Sequence, residues 1–576
     1  MTHSAHHAAL RHCLLWLGTL ASGGCARTQL FLDDLAPPCS SAACASEAEL
    51  TVSWQRPRLN NDGSALHDLR SHRIYYGTAP GVYPNVVDLM TDTPYPGMLE
   101  HTLTGLVAGT TYYVAVSAVD ADGHESVLSS EASAVASATV AASEPAWDVV
   151  ITALPFTISS AGNYRLASSV VAASGDGITV NVSGVRLYGG NGFYGDAANV
   201  VTLTYSESAP GNGVLLAAGV ANVEVYGFDF VRGTATHNSI DGCSAIYGAA
   251  ALGTGVRVHN NHFTAATGCA VGVGAATDLG PTRIYDNTLH ITAGPGIMAL
   301  VRGPSSGGLA VYRNTGSVAG GDSASAVVDG VTHADVYRND VILEASATLA
   351  RFAASWGGVG DNYFHDNVIH AAGETNQVFS PDGGASGWLL LHNRITMSYV
   401  GGGSGARALL LRNGASDIVV GYNVIEASGA DSARGISFGG NEAGWSGSDP
   451  GGAWLYHNQI AAKEYALELA APGTGLVSWA NSYEGGVGGY GYAIALFGDG
   501  ASGTLAASFS GDTVSGRVPP VNKPTTLSAS FTVCDSFAAA DVAGDTVGIT
   551  FNAAPCPYPV NDVPAPPSAV ALRLEP

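Results

Sequence analysis

An asparagine recurs once per repeating unit through the middle of the chain: Asn261, Asn287, Asn314, Asn339, Asn367, Asn393, Asn423 and Asn458. Successive positions lie 26, 27, 25, 28, 26, 30 and 35 residues apart. Each follows a short alternating apolar stretch, as in VRVHNN, TRIYDN, LAVYRN, ADVYRN and WLYHN. A period of this size, with two-residue alternation and no helical spacing, predicts a stack of β coils. One coil cannot bury its apolar face alone, so its neighbours must supply the core.

The repeats read as short strands separated by Gly, Asn-Gly and Asp-Gly turns. No stretch carries the i, i+3, i+4, i+7 apolar pattern of a crossover helix, which argues against a leucine-rich horseshoe or a doubly wound sheet. In stacked coils the Asn residues superpose, and each amide bonds the next along the axis. That makes them structural rather than catalytic. Earlier coils are less regular: in NVEVYGFDF (222–230), Phe228 takes the place of the Asn.

The pattern over residues 145–555 resembles the right-handed parallel β-helix superfamily of pectate lyases, polygalacturonases and phage tailspikes. About thirteen coils at about 4.8 Å would give a rod of roughly 60 Å. The resemblance implies a scaffold and leaves the activity open, because this fold hosts many chemistries.

A separate unit precedes the rod. AELTVSWQRP (48–57) and RIYYG (73–77) read as strands, and HTLTGLVAGTTYYVAVSAVDADGHES (101–126) carries Leu106, Gly109 and Tyr112. Their spacing resembles the tyrosine corner of a fibronectin type III module, a β-sandwich. The expected architecture is all-β: a signal segment (1–25), the sandwich with its linker (26–142), the parallel β-helix (143–556) and a Pro-rich tail (557–576). In that tail AVALRLE (569–575) reads as a stray first strand of a further module, with completion of the N-terminal sandwich the lesser alternative.

Charged residues make up 12% of the chain and the formal net charge is −24, with Lys463 and Lys523 the only lysines. This excludes a basic nucleic-acid surface. It also disfavours anionic polymers and favours a neutral or cation-bridged glycan. Arg11 and His12, then LLWLGTLA and SGGC, read as an export signal too short to span a membrane. Cys25 resembles the acylated cysteine of a lipobox that lacks its usual Leu; lipidation there and plain cleavage near Gly23 or Ala26 both stay open. The other cysteines fall into neighbouring pairs, Cys39 with Cys44, Cys243 with Cys269, and Cys534 with Cys556, as suits an exported protein. Cys243 and Cys269 are one coil apart, within disulfide reach.

Polar residues recur at equal offsets from the Asn ladder. Fifteen residues after Asn287, Asn314, Asn339 and Asn367 stand Arg302, Asp329, Ala354 and Asp382. On this count Arg302 and Asp329 are vertical neighbours, and Asp329 and Asp382 lie two coils apart, about 9.6 Å between Cα atoms. Carboxyls about 6.5–9.5 Å apart suit an inverting glycoside hydrolase, one protonating the leaving oxygen and the other activating water. The competing reading is ordinary Asp-Gly turn chemistry with a weak surface ion pair. His333 and Arg351 enrich the same coils. Trp445, Tyr399, Trp356 and Trp388 are candidate sugar-stacking rings, with loop packing as the alternative. No zinc-site spacing occurs and no cofactor is implied. Asp120, Asp122 and Glu125 could hold Ca²⁺, although a solvated acidic turn is the plainer reading.

The leading expectation is an exported, monomeric surface protein engaging extracellular polysaccharide or matrix by binding or hydrolysis. A non-enzymatic adhesive protein is the alternative. A polysaccharide lyase is third, since neither lyase nor polygalacturonase signatures occur in the chain.

Overall fold

The computed structural model describes residues 47–55, 57, 60–61, 66, 69–89, 98–120, 123–138, 145–191, 201–235, 239–265, 270–292, 298–320, 325–356, 360, 362–401, 405–412, 414–439, 451–470, 475–486, 491–496, 505–523, 529–544, 546–552 and 568–573. Cys25, Cys39, Cys44, Cys269, Cys556, Asp122 and Trp445 lie outside these residues, as does the side chain of Trp356. Among the described residues the only helical turn is the 3₁₀ turn Ala539–Asp541. Everything else regular is strand.

From Val149 to Asn552 the chain winds as a parallel β-solenoid. One wall is a 16-stranded parallel sheet, and a 26-stranded sheet supplies the rest of each coil. A typical coil runs through Arg283–Tyr285 in the first wall, turns at Asp286 and Asn287, continues through Thr288–Ile291, and returns through Met298–Arg302. The next coil starts at Leu309–Tyr312 and pairs Ile284 with Val311. Inward positions alternate with outward ones, so Val258, Ile284, Val311, Val336 and Phe364 form one column of a continuous core.

Two columns at the turn hold the coils in register. Asn261, Asn287, Asn314, Asn339, Asn367, Asn393, Asn423 and Asn458 are all buried. Each donates its backbone N–H and its Nδ2–H to the Oδ1 of the next, at 2.8–3.2 Å. The ladder is longer than the repeats alone suggest: Asn458 hands on to Asn481, and Asn481 to Asp512. At the other end Phe228 offers only its N–H, to Asn261 Oδ1 at 3.0 Å. Immediately before each ladder residue the backbone is left-handed, with φ near +50° at Asp286, Arg313, Arg338, Asp366, His392, Tyr422, His457 and Ala480. Arg, Tyr and Ala rarely adopt this conformation. The ladder bonds and the packing of every coil on the next hold them there.

The N-terminal unit is two antiparallel sheets. Asn85–Leu89, Leu69–Gly77, Thr111–Asp120 and Ala132–Val135 form one, and Met98–Val107 beside Glu47–Gln55 begins the other. Leu50, Val52, Trp54, Ile74, Val114 and Val116 fill the space between them. Tyr112 Oη accepts the N–H of Val107 at 3.1 Å. The tail corrects the sequence reading. Ser568–Arg573 does not open another module; it pairs antiparallel with Glu47–Gln55, Val52 opposite Leu572 and Ser53 opposite Ala571. This strand comes from the far end of the chain, so no local pattern could place it.

Asp120 accepts the N–H and Nδ1 of His124, and Glu125 is enclosed by Arg73, Tyr75 and Ser117. Among the described residues no cluster of three His, Cys, Asp or Glu is arranged to hold a metal.

Candidate functional site

Charged residues converge on the outward side of the returning strands, from Met298–Arg302 to Tyr465–Leu469. In one column Ala326 pairs with Arg351, Gln377 with Arg407, and Arg407 with Arg434. In the next, Arg302 pairs with Asp329, Asp329 with Ala354, and Ala354 with Ser380. A polar side chain on the outside of a parallel sheet is ordinary. Here Arg351, Gln377, Asp382, Arg407 and Glu468 are all buried as well, and burial of such groups demands close partners.

Those partners are present. Arg302 Nε lies 3.1 Å from Asp329 Oδ2. Arg351 Nη2 donates to Gln377 Oε1 at 3.3 Å. Arg412 Nε donates to Asp382 Oδ2 at 2.9 Å. Farther along, Arg434 bonds Glu464 at 2.6 Å and both oxygens of Glu468, whose Oε2 also accepts from Ser437 Oγ at 2.7 Å. Arg302 and Asp329 are thus vertical neighbours, as the ladder offset predicted, and the pair is partly buried rather than a free surface contact.

Asp329 stands out chemically. Burial raises its pKa above the ordinary carboxylate value, against the opposing fields of Arg302 and Arg351. A carboxyl of this kind holds a proton more readily than a solvated one, as a general acid requires.

Asp382 does not occupy the column assigned by counting. Between Ala345 and Leu349 the pairing of Asp340–Trp356 with Val368–Asp382 shifts by two residues. Beyond this irregularity Ala354 meets Ser380, and Asp382 meets Trp356. Asp382 is therefore displaced from the Asp329 column by two residues, about 6.6 Å along the strand in addition to two coil spacings. The equal-offset argument for this pair fails on that count, and Asp382 is bound up in the buried contact with Arg412.

The proposed sugar-stacking rings separate. Trp388 is buried in the solenoid core, its ring 4.8 Å from that of Phe364. Tyr399 lies in the same core. Tyr399 falls on the inward phase of Arg394–Tyr399, and Trp388 enters the core just ahead of Leu389–Leu391. His333 stands at a left-handed turn position before Ala334–Tyr337, away from the charged columns, with Nδ1 3.5 Å from the Ser305 carbonyl. Of the expected residues, Arg302, Asp329 and Arg351 come together, and Asp382 is held two coils away by Arg412.

Cys243 and Cys534 are each disulfide-bonded.

Sequence reasoning missed the outward side of the 16-stranded wall. There a ring column runs through Trp147, Tyr188, Tyr226, His259, Tyr285, Tyr312, Tyr337 and His365, with successive centroids 4.7–5.4 Å apart. The signal was available, since in most of these coils the aromatic stands two residues before the ladder position. His365 sits between Asp335 (3.2 Å) and Asp366 (2.8 Å). Burial alone would lower its pKa, but the two carboxylates hold it at about 9. This histidine is a structural cation.

No family model matches the chain, and no curated protein matches it. Solved structures align with it at low identity. A tailspike protein mutant of E. coli bacteriophage HK620 in complex with pentasaccharide is 13% identical, with TM-score 0.34, over 69% of this chain and 71% of that one. The Yersinia enterocolitica family 28 exopolygalacturonase is 11% identical, with TM-score 0.23, over 89% and 98%. The catalytic domain of a GH87 alpha-1,3-glucanase mutant in complex with nigerose is 11% identical, with TM-score 0.29, over 88% and 89%.

Proposed function

We propose that the chain engages an extracellular polysaccharide along the charged columns of its returning strands, and that Asp329 is the group able to act on a glycosidic bond. The observation that carries this reading is Asp329 itself. It is a partly buried carboxyl with a raised pKa, set beside Arg302 and close to Arg351. Protonated, it would donate to a leaving oxygen; Arg302 and Arg351 would favour the carboxylate left behind. Asp382 is the candidate for the second carboxyl, at a separation larger than the ladder count suggested.

A binding protein that does not cleave is the second reading. The buried Asp382–Arg412 contact favours it, because a carboxylate tied to a guanidinium is poorly placed to activate water. The experiment is a screen of the purified chain against an array of glycans, paired with a reducing-end assay on each glycan bound. Hydrolysis is expected to fall at least about 100-fold in Asp329→Asn while binding persists. Binding with no hydrolysis by the unmodified chain would establish the second reading, and unchanged hydrolysis in Asp329→Asn would remove Asp329 from the mechanism.

The wider setting is an inference from sequence. We infer export through residues 1–25 with Cys25 as the lipid-bearing position, a fibronectin type III module as spacer, and pairing of Cys39 with Cys44, Cys243 with Cys269 and Cys534 with Cys556.

A further inference from the structure

We propose that the N-terminal unit is a cover seated on the turns of the solenoid, and that acidification lifts it off, because histidine faces arginine across the boundary in both directions. This device shares no residue with the charged columns of the returning strands.

The seat is a line of turns. Arg338, Asp366 and His392 each stand in the left-handed position immediately before a ladder asparagine, on consecutive coils. At about 4.8 Å per coil, Arg338 and His392 are about 10 Å apart along the axis. The N-terminal unit meets both. Its Arg70, in Leu69–Gly77, bonds His392 through the backbone, and the Arg70 guanidinium acts on the same imidazole. Its His101 lies in Met98–Val107, the outer strand of its sheet, within the field of Arg338. Thus His392 of the solenoid faces Arg70 of the unit, and His101 of the unit faces Arg338 of the solenoid.

A neutral imidazole tolerates a guanidinium beside it, whereas an imidazolium is repelled. Burial comes first in holding both rings neutral. It brings His101 down to about 4, with Arg338 adding to the shift, and it lowers His392 as well. Around His392 the charges are mixed: Asp366 favours the proton, while the His365 cation and the Arg70 guanidinium oppose it. The His392 ring is stacked on Tyr422 at 4.9 Å, which fixes it in place. Once water reaches the two rings, each returns toward the ordinary value of about 6.5. The contact is therefore at full strength above about pH 6.5. It weakens as pH falls toward about 4, by up to about tenfold per pH unit for each histidine.

Opening does not release the unit. Residues 139–148 lead from it into Val149–Ile151, the first strand of the wall. From beyond Ile549–Asn552, the last strand, Ser568–Arg573 returns to pair with Glu47–Gln55. Both ends of the solenoid stay tied to the unit, so reclosure at neutral pH is intramolecular and independent of concentration.

The test is small-angle X-ray scattering of the full chain between about pH 8 and about pH 5.5, a range in which ordinary carboxylates stay ionised. The radius of gyration is expected to rise as pH falls and to return on neutralisation, while hydrogen exchange at the ladder positions from Asn287 to Asn458 shows the solenoid intact. Arg70→Ala combined with Arg338→Ala keeps both histidines and the backbone bond. It should move the midpoint of opening down by about half a pH unit or more. His392→Arg carries a fixed charge and should be open already at pH 8; Arg313 and Arg338 show that this turn position accepts arginine. The proposal is overturned if the radius of gyration is the same at both ends of the range, if the double alanine variant opens at the same or a higher pH, or if His392→Arg stays closed at pH 8.

Discussion

Asp512 ends the asparagine ladder by accepting both the N–H and the Nδ2–H of Asn481 on one oxygen, Oδ1, at 2.8 and 2.9 Å. Every earlier acceptor in the ladder is an uncharged amide. The last is an acid, buried, and it also accepts from Ser478 Oγ at 3.0 Å. Burial pushes its pKa up to about 7 in spite of these donors.

A pH dependence follows from this residue. In the unfolded chain Asp512 ionises near pH 4, whereas in the folded chain it keeps its proton to about pH 7. Its contribution to stability is complete below about pH 4 and is lost as pH rises toward 7, at up to about 1.4 kcal/mol per pH unit. Asp512→Asn presents the same carbonyl oxygen with no charge. Urea unfolding at pH 5 and pH 8 should show the variant gaining on the unmodified chain at the higher pH. Equal differences at both pH values would mean that Asp512 is already ionised in the fold.

In the middle of the ladder the bonds carry a different consequence. Asn339 Oδ1 receives the N–H and the Nδ2–H of Asn314, and its own Nδ2 bonds Val311 O and Asn367 Oδ1. Asn339→Ala leaves the backbone N–H of Asn314 buried without its acceptor and takes a donor from Val311 O, while Asn314 Nδ2 keeps Ile284 O and Tyr312 O. At about 1–3 kcal/mol for each orphaned group, the loss should reach about 3 kcal/mol or more. Chemical denaturation at neutral pH measures it, and a loss below about 1 kcal/mol would show that neighbouring groups absorb the defect.

The Asp382–Arg412 contact makes a contrary pair of expectations. Arg412→Leu strands a buried carboxylate and should cost about 3–5 kcal/mol. Replacing both partners, as in Asp382→Leu with Arg412→Met, should recover most of that loss, because no uncompensated charge remains. A double variant as unstable as the single one would show that the polar geometry itself is required.

Much of the scaffold is legible from spacing alone. The ladder asparagines, the substitution by Phe228 and the Arg302–Asp329 contact all follow from one period, because each depends only on local pairing between adjacent coils. Where counting failed, a physical event intervened. Two residues are lost from the pairing between Ala345 and Leu349, and the remaining positions of that strand pair are displaced, which is why Asp382 meets Trp356. Strand phase, not residue type, sent Tyr399 inward, and Trp388 enters the core just ahead of its strand. Asn481 and Asp512 escaped notice for chemical reasons: WANS keeps the Asn after a single Ala, and Asp512 replaces the amide by an acid. Partial burial of the charged columns, which makes Asp329 unusual, depends on the surrounding coils and has no signature in the residues themselves.

The least legible contact gives the last prediction. Ser568–Arg573 lies more than 500 residues from Glu47–Gln55 in sequence, yet their backbones pair at Thr51 with Arg573, Val52 with Leu572 and Ser53 with Ala571. A pairing this distant cannot form until the rest of the chain has been made, so the N-terminal sheet is completed late in folding. Deleting residues 568–576 should expose the backbone of Thr51, Val52 and Ser53 along one edge while leaving the solenoid, with its own ladder and core, intact. Hydrogen exchange is the measurement: faster exchange in Glu47–Gln55 and its partner Met98–Val107, and unchanged exchange at the ladder positions from Asn287 to Asn458. Should Glu47–Gln55 stay equally protected in the truncated chain, the terminal strand would add nothing to that sheet in solution.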